Sequence, residues 1–321
     1  MITASDFSSN LLASPEAIRQ LAVQVQDGTG YLRREIRDRR STPRALYKPN
    51  PLLKIALKKM SEYLATVAPE PQAHVHGFVK GRSTVTNARN HLNKASVLRI
   101  DVANFFGSIT REQVSDALIA AGFEMDASAL ACDLSTVDGA LPIGFPTSPV
   151  LSNMVFDPAD SSIAAIALKH GVSFTRYVDD LVFSGDVDPS ITGEVATVLD
   201  GFGWKLNPNK TKLMKRGAKQ FVTGLSVSDA HRPRVPLSLK RRMRLKVHYI
   251  ERFGYATYMD DFHGEDLGDH PRRLLGLARY IAGVEPSVGI PLLERLNESI
   301  DASWYDDRDD GYWDSFLDDF R

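Results

Sequence analysis

Apolar and polar positions recur along the chain in patterns that predict both helices and strands. Between residues 52 and 67, apolar side chains fall at positions 53, 56, 57, 60, 63, 64 and 67, the spacing of one helix face. Lys54, Lys58 and Lys59 fall on the other side. The segment is predicted to be an amphipathic helix with a basic outer face.

A strand and then a helix are predicted next. Residues 97–104 are rich in β-branched and apolar side chains, which favours a strand. Thr110 and Gln113 have the spacing of a capping box, because each side chain can bond the other residue's backbone N–H, and Gly122 is typical of a helix end. We therefore expect a helix between Thr110 and Gly122.

The second half of the chain repeats this mixture. Residues 148–168 have a helical pattern, and Pro158 is expected to end or kink that helix because proline lacks the N–H donor and clashes with the preceding turn. Residues 172–183 alternate around Tyr177-Val178-Asp179-Asp180, which predicts two strands with the acidic pair at the hairpin tip. Residues 191–202 predict a helix, residues 220–227 a strand, and the C-terminal third further helices.

Composition indicates a folded protein. The chain has 321 residues, of which 43% are hydrophobic, and this length suggests two or three subdomains. A single cysteine, Cys132, excludes an intrachain disulfide, and the chain starts without a secretion-signal pattern. Its longest apolar stretch, residues 163–168, is far shorter than the roughly 20 residues that cross a bilayer. We expect a cytoplasmic protein without a membrane span.

Charge is distributed unevenly. Residues 301–321 contain eight Asp and two Arg, a local charge of −6, so residues 1–300 carry +5 within a net charge of −1. A basic body is compatible with a phosphate-rich partner but does not require one. The acidic tail also carries six aromatic residues, which makes docking to a protein or to the basic body an alternative to a solvated end.

Three aspartates are the first candidates for chemistry. Asp101 ends an apolar strand, and Asp179 and Asp180 lie at a hairpin tip; adjacent strands would bring the three carboxylates together. Such a cluster repels itself unless cations neutralise it, and Mg²⁺ prefers oxygen ligands. Taken singly, each aspartate is also an ordinary turn or strand-end residue.

Four segments, in order, resemble the palm motifs of reverse transcriptases. They are residues 99–106 (RIDVANFF), 141–149 (LPIGFPTSP), 177–180 (YVDD) and 207–211 (NPNKT). The resemblance runs from about residue 44 to about residue 227. It implies an α+β, right-hand polymerase fold with an N-terminal helical region and fingers (1–96), a palm whose antiparallel sheet carries the aspartates (97–228), a helical thumb (229–300) and the acidic aromatic tail (301–321).

Three shorter segments give a finer resemblance, to bacterial retron reverse transcriptases. Residues 75–83 (VHGFVKGRS) resemble the fingers motif of bacterial enzymes. Residues 87–91 (NARNH) and 222–224 (VTG) resemble the two signatures that separate retron enzymes from those of group II introns. This resemblance implies a structured noncoding RNA that serves as primer and template, DNA synthesis from a 2′-hydroxyl of that RNA, and an RNA–DNA hybrid product. It also implies an effector protein and a role in antiphage defence.

The resemblance also assigns site residues. It implies that Asp101 and Asp179 bind two Mg²⁺ ions, which Mn²⁺ can replace, with the carbonyl of Val102 as a further ligand and Asp180 in support. Among nucleotide contacts, Phe106 resembles a steric gate that excludes a 2′-hydroxyl and so favours deoxynucleoside triphosphates. The other implied nucleotide contacts are Arg44 at the triphosphate, Pro142 and Gly144 in the loop below the nucleotide, and Lys210 near the leaving pyrophosphate.

One position departs from the family pattern, because Ile143 stands where a Gln often lies against the nucleotide sugar.

The resemblance also suggests RNA-binding residues. Arg82 lies in the fingers segment, and we expect Asn87 and His91 to share one helix face, where they hold the RNA or pack. The basic run at Lys240, Arg241 and Arg244 predicts a helix that contacts the RNA backbone, or a solvated surface helix.

Two other functions remain open from the sequence. A defence-associated reverse transcriptase outside the retrons would use another template or none, and the retron-like segments argue against it. A catalytically inactive RNA-binding scaffold would have lost the chemistry, and the retained aspartates argue against that.

Overall fold

The structure is a computed structural model and describes residues 1–37, 43–262 and 271–300; the predicted acidic tail lies outside these ranges. The helices are α1 (Ala4–Asn10), α2 (Pro15–Gln26), α3 (Pro51–Val67), α4 (Thr84–Arg89), α5 (Phe105–Ser108), α6 (Arg111–Ala120), α7 (Met125–Ser135), α8 (Ser148–Lys169), α9 (Ile191–Gly201), α10 (Leu237–Phe253), α11 (Tyr255–Phe262), α12 (Pro271–Val284) and α13 (Pro286–Ser299). The strands are β1 (Tyr31–Arg37), β2 (Pro43–Pro49), β3 (Ser96–Asp101), β4 (Ser173–Tyr177), β5 (Asp180–Gly185), β6 (Lys212–Lys215), β7 (Phe221–Val222) and β8 (Leu225–Ser226).

A four-stranded sheet in the order β4-β5-β3-β6 carries the predicted catalytic segments. β4 and β5 form the hairpin predicted for residues 172–183, so they are antiparallel. β3 lies beside β5 and therefore places its last residue, Asp101, next to the hairpin tip. The mixture of helices with this sheet confirms the α+β class.

A second hairpin, β1–β2, pairs antiparallel from Tyr31 opposite Pro49 to Arg37 opposite Pro43. It is joined to the loop before α8, because the backbone N–H of Tyr47 donates to the carbonyl of Ile143 at 2.8 Å. Arg44 of β2 is thereby attached to the loop that contains Gly144.

Two helices show why local sequence suffices for some elements. The side chain of Asn50 caps α3, whose apolar face is buried and includes Leu53, Leu57 and Met60. In α6 both bonds of the capping box between Thr110 and Gln113 are present, and Gly122 follows the helix with φ +94°. Both predicted helices are confirmed.

The strand predicted for residues 97–104 ends early. β3 stops at Asp101, and Asn104 adopts a left-handed conformation (φ 48°) before the short helix α5. Asparagine tolerates that conformation better than most residues, which lets the chain turn sharply after the aspartate.

Two further expectations need correction. α8 spans 22 residues and continues through Pro158, so of the two expected effects of the proline, an end or a kink, the end is wrong. Such a helix loses one backbone hydrogen bond at the proline, and this one is packed against α6 and α9. Residues 220–227 form a hairpin, β7–β8, instead of one strand, because Thr223 (φ 45°) and Gly224 (φ 80°) make a two-residue turn.

The chain divides into two compact units. The first contains Met1–Val79, Leu98–Phe183 and Val187–Lys212, and the second contains Lys80–Val97, Ser184–Asp186 and the chain from Leu213. The predicted boundary at 96/97 lies one residue from a unit boundary, whereas the predicted boundary at 228/229 falls inside the second unit.

Each unit has its own core. In the first, the rings of Phe156 and Trp204 stack with centroids 4.6 Å apart. In the second, α10 buries Met243, Val247 and Ile250 and packs against α13. No helix in the described ranges is both long enough and apolar enough to cross a membrane.

Candidate active site

The end of β3 and the tip of the β4–β5 hairpin bring three carboxylates together. The backbone N–H of Val102 donates to the carbonyl of Asp179 at 2.9 Å and so ties the two segments. One carboxylate oxygen from each of Asp101, Asp179 and Asp180 lies within 4.8 Å of the others. The convergence predicted from strand ends is confirmed.

The electrostatics of this cluster favour a bound cation. Asp101 is 4% exposed. Burial, and then the charge of Asp101, raises the pKa of Asp179, while burial and then Asp179 raises the pKa of Asp180 to about 7. Carboxylates that repel one another in this way are stabilised by a hard divalent ion, so the residues fit the expected metal.

Two basic side chains partly neutralise the aspartates. Nζ of Lys210 lies 3.0 Å from Oδ2 of Asp101, and Nε of Arg99 lies 3.5 Å from Oδ1 of Asp180. Lys210 was expected at the pyrophosphate; in this structure it contacts a carboxylate. The sequence did not assign Arg99 a role, although a residue two positions before Asp101 on a strand lies on the same sheet face.

The predicted gate, Phe106, belongs to an aromatic cluster. Its ring centroid lies 5.3 Å from that of Phe105 and 6.1 Å from that of Phe78. Phe105 is 5% exposed and also packs against Phe156, so it is a core residue. Phe78, which the sequence did not single out, has φ 59°, a conformation that is rare for a bulky side chain.

The loop around Gly144 is held against β2. Ser148 Oγ donates to the carbonyl of Pro142 at 2.7 Å. A Cβ on Gly144, which has φ +106°, would lie 2.5 Å from the carbonyl oxygen of Tyr47. The absence of a side chain at Gly144 therefore lets this loop lie close to the protein's own strand β2.

Arg44 is exposed on β2. Burial and Asp101 raise the pKa of Asp179, and the charges of Lys210 and Arg44 partly offset that rise. The charge of Arg44 therefore favours the ionised form of Asp179.

Asn87 and His91 lie in the second unit and are fully buried. His91 follows α4 instead of lying on it, and its Nδ1 is 2.7 Å from Oγ of Ser184. Among the residues that the structure describes, neither Oδ1 nor Nδ2 of Asn87 has a hydrogen-bond partner. As placed, both side chains are inaccessible to RNA, and the packing alternative accounts for His91.

The two retron-like segments of this unit are joined. Oγ1 of Thr223, in the turn between β7 and β8, donates to the carbonyl of Thr84 at the start of α4 at 3.0 Å. Arg82, just before α4, is half-exposed and has an interaction partner within the protein.

The predicted basic helix is α10. Arg241 and Arg244 are exposed on it. Lys240, in contrast, lies 3.0 Å from Oε1 of Glu285, whose side chain is 4% exposed. The expected RNA contact by Lys240 is therefore not supported, because its ammonium compensates a buried charge.

Residues 36–234 match the family model described as reverse transcriptase (RNA-dependent DNA polymerase). The chain belongs to the reverse transcriptase family. The family match and the antiparallel hairpin that carries the aspartates confirm the right-hand polymerase fold expected from the sequence.

Curated relatives include two proteins of Myxococcus xanthus. The chain is 32% identical to the retron Mx65 reverse transcriptase, over 78% of this chain and 61% of that protein. It is 30% identical to the retron Mx162 reverse transcriptase, over 86% of this chain and 62% of that protein. It thus spans about three fifths of the length of these relatives. Among solved structures, telomerase from Candida albicans with a fragment of telomeric RNA matches with a TM-score of 0.44 at 12% identity, covering 82% of this chain and 54% of that one.

Proposed function

We propose that this protein is the RNA-directed DNA polymerase of a retron. It copies a structured noncoding RNA, which is both primer and template, into RNA-linked single-stranded DNA, and it acts with an effector protein in antiphage defence. The support for polymerase chemistry is the convergence of Asp101, Asp179 and Asp180 on a reverse transcriptase sheet. The support for the retron class is similarity to the two Myxococcus enzymes and the retron-like segments.

Asp101 and Asp179 are the proposed ligands of two Mg²⁺ ions, with the Val102 carbonyl as a further ligand. Two such ions would supply the positive charge that stabilises the attacking hydroxyl and the leaving pyrophosphate; Mn²⁺ accepts the same oxygen ligands. Asp180 supports the site by adding a negative charge, and the guanidinium of Arg99 partly neutralises that charge.

The remaining side chains bind and select the nucleotide. Arg44 contacts the triphosphate, because a guanidinium suits phosphate oxygens. Phe106 lies under the sugar and excludes ribonucleotides, and the loop with Pro142 and Gly144 supports the nucleotide from below. Lys210 gives a proton or a positive charge to the leaving pyrophosphate.

RNA binding is proposed for the exposed face of α10. Arg241 and Arg244 would contact the phosphate backbone, and Arg82 would contact RNA from the segment before α4. Cys132 is a free, buried cysteine, which is compatible with the reducing cytoplasm.

The test begins with nucleic acid that co-purifies with the protein. Incubation with Mg²⁺ and deoxynucleoside triphosphates should extend one discrete structured RNA into DNA that stays covalently attached to it. The double substitution Asp179→Asn with Asp180→Asn should abolish this product, whereas Asp186→Asn, at the exposed end of the same hairpin, should not. Long DNA made without a template, or unchanged synthesis by the double variant, would contradict the proposal.

A further inference from the structure

The turn that presents the catalytic aspartates has a strained backbone. Val178, which directly precedes Asp179, has φ 59°. A β-branched residue is a true outlier in this region, and such a conformation persists only where the surrounding structure enforces it. Some group near Val178 must therefore hold the turn.

The buried guanidinium of Arg176 contacts this turn directly. Arg176 is 0% exposed, and its Nη1 donates to the carbonyl of Val178 at 3.3 Å. Its Nε and Nη2 donate to the two carboxylate oxygens of Asp160 at 2.7 and 2.6 Å, and the guanidinium carbon lies 4.7 Å from the centre of the Phe156 ring. The bidentate pair fixes the direction in which the remaining N–H groups point.

Asn153 connects this arginine to the opposite side of the turn. Its Oδ1 accepts from Nη1 of Arg176 at 3.1 Å, and its Nδ2 donates to the carbonyl of Gly77 at 3.0 Å. A Cβ on Gly77 would lie only 2.4 Å from the backbone nitrogen of Val178. The turn is thus enclosed between the segment at Gly77 and the polar side chains of α8.

We propose that Arg176, Asp160 and Asn153 are positioning residues of the two-metal site. This proposal rests on the function proposed above. They hold Val178 in its left-handed conformation and thereby fix where the carboxylates of Asp179 and Asp180 point. They do not contact the reacting groups themselves. A buried ion pair is weak evidence for stability, because well-packed apolar residues often replace one without loss. The bond from Arg176 to Val178 gives the pair a second role.

A double substitution separates the two roles. Arg176→Met with Asp160→Leu removes both buried charges together, so no uncompensated charge remains. We expect a thermal unfolding midpoint close to that of the parent, a kcat for DNA synthesis at least about 10-fold lower, and a KM for deoxynucleotide that changes far less, because small displacements of catalytic groups reduce rate strongly. The Mg²⁺ concentration for half-maximal activity should rise about 10-fold, since the carboxylates are no longer fixed.

Metal binding provides a readout that does not need activity. Mn²⁺ titrated into the protein without nucleotide, followed by calorimetry, should bind about 10-fold more weakly to the double variant than to the parent. If the parent binds Mn²⁺ but makes no DNA, the proposed function fails while the positioning role is still measured. The positioning role fails if the folded double variant keeps the parent's Mn²⁺ affinity and Mg²⁺ dependence.

Two further variants keep the test decisive if the double variant does not fold: a milder substitution at the same cluster and a control at another ion pair. Asn153→Ala introduces no buried charge, and because Asn153 is only half-buried, water can replace its bonds. It should fold and show a smaller shift in Mn²⁺ affinity in the same direction; an unchanged affinity would count against the proposal. The matched control, Arg111→Met with Asp133→Leu, removes an ion pair between α6 and α7 and should leave Mn²⁺ binding unaltered.

Discussion

The ammonium of Lys210 lies 3.0 Å from Oδ2 of Asp101, so the protein's own cation contacts a carboxylate proposed to hold the metal. A metal ion and this ammonium repel each other at one carboxylate. Lys210→Met should therefore lower the Mg²⁺ concentration for half-maximal activity. The same change should reduce kcat about 100-fold, because the proposed general acid is lost.

Steady-state primer extension across a Mg²⁺ titration measures both effects. Lys205→Met is the matched control, since Lys205 is an exposed lysine that pairs with Asp200. An unchanged kcat in Lys210→Met would remove Lys210 from the proposed chemistry, and a higher Mg²⁺ requirement would mean that Lys210 supports the metal site instead of competing with the ion.

The contact between Phe78 and Phe106 predicts a second residue that affects sugar selection. Phe106→Ala should admit ribonucleotides by removing the gate, and Phe78→Ala should do so more weakly, because the gate ring loses a neighbour only. The measurement is the ratio of kcat/KM for a deoxynucleotide to that for its ribonucleotide. Phe202→Leu, which removes a half-buried ring stacked on Trp204, should leave the ratio unchanged. Equal ratios for Phe78→Ala and the parent would refute the idea.

Gly77 provides a steric test of the catalytic hairpin. A Cβ at this position would lie 2.4 Å from the backbone nitrogen of Val178, so Gly77→Ala must displace the turn before Asp179. We expect a loss of activity of about 100-fold, the scale that follows from small displacements of catalytic groups. Gly193→Ala, on α9, meets nothing within 4 Å and should leave activity intact while it adds about 0.5–1 kcal/mol of stability. Full activity in Gly77→Ala would show that the turn tolerates displacement.

The parts of this site that depend on residues close together in the sequence could be predicted from it. Strand ends and hairpin tips are such local patterns, so the convergence of Asp101 with Asp179 and Asp180 could be predicted. Period-two alternation could also have indicated Arg99. The pairing of Arg176 with Asp160 joins a strand to a helix, and nothing in either segment alone specifies the partner.

Burial was harder to predict than secondary structure. The spacing of Asn87 and His91 suggested one helix face, but α4 ends at Arg89, and the environment of both side chains depends on contacts with segments distant in the chain. Likewise, Lys240 and Arg241 are neighbouring basic residues that the sequence does not separate, yet it is Lys240 that joins Arg234 at the buried Glu285.

This contrast on α10 predicts different effects of neighbouring substitutions. Arg241→Ala and Arg244→Ala should each weaken RNA binding and reduce the slope of log affinity against log salt by about 1 in magnitude, as the loss of one phosphate contact does. Lys240→Ala should instead lower the free energy of unfolding by about 1–3 kcal/mol, because Glu285 loses a hydrogen-bonded cation. RNA binding at several salt concentrations and urea unfolding measure the two effects. A reduced salt slope for Lys240→Ala with unchanged stability would reverse the assignment.

Asn87 and His91 are both buried, and replacing each with Leu should change the free energy of unfolding differently. His91→Leu removes the partner of the buried Ser184 hydroxyl, which should lower the free energy of unfolding by about 1–3 kcal/mol. Asn87→Leu removes two polar atoms that have no hydrogen-bond partner within the described ranges, so stability should stay equal or rise, since an apolar group of similar size avoids the cost of an unsatisfied buried amide. Urea unfolding of the two variants decides between packing and another role. If Asn87→Leu is as destabilising as His91→Leu, the amide has a partner such as a buried water; if it is neutral in stability yet loses co-purifying RNA, Asn87 acts in RNA binding after a rearrangement of α4.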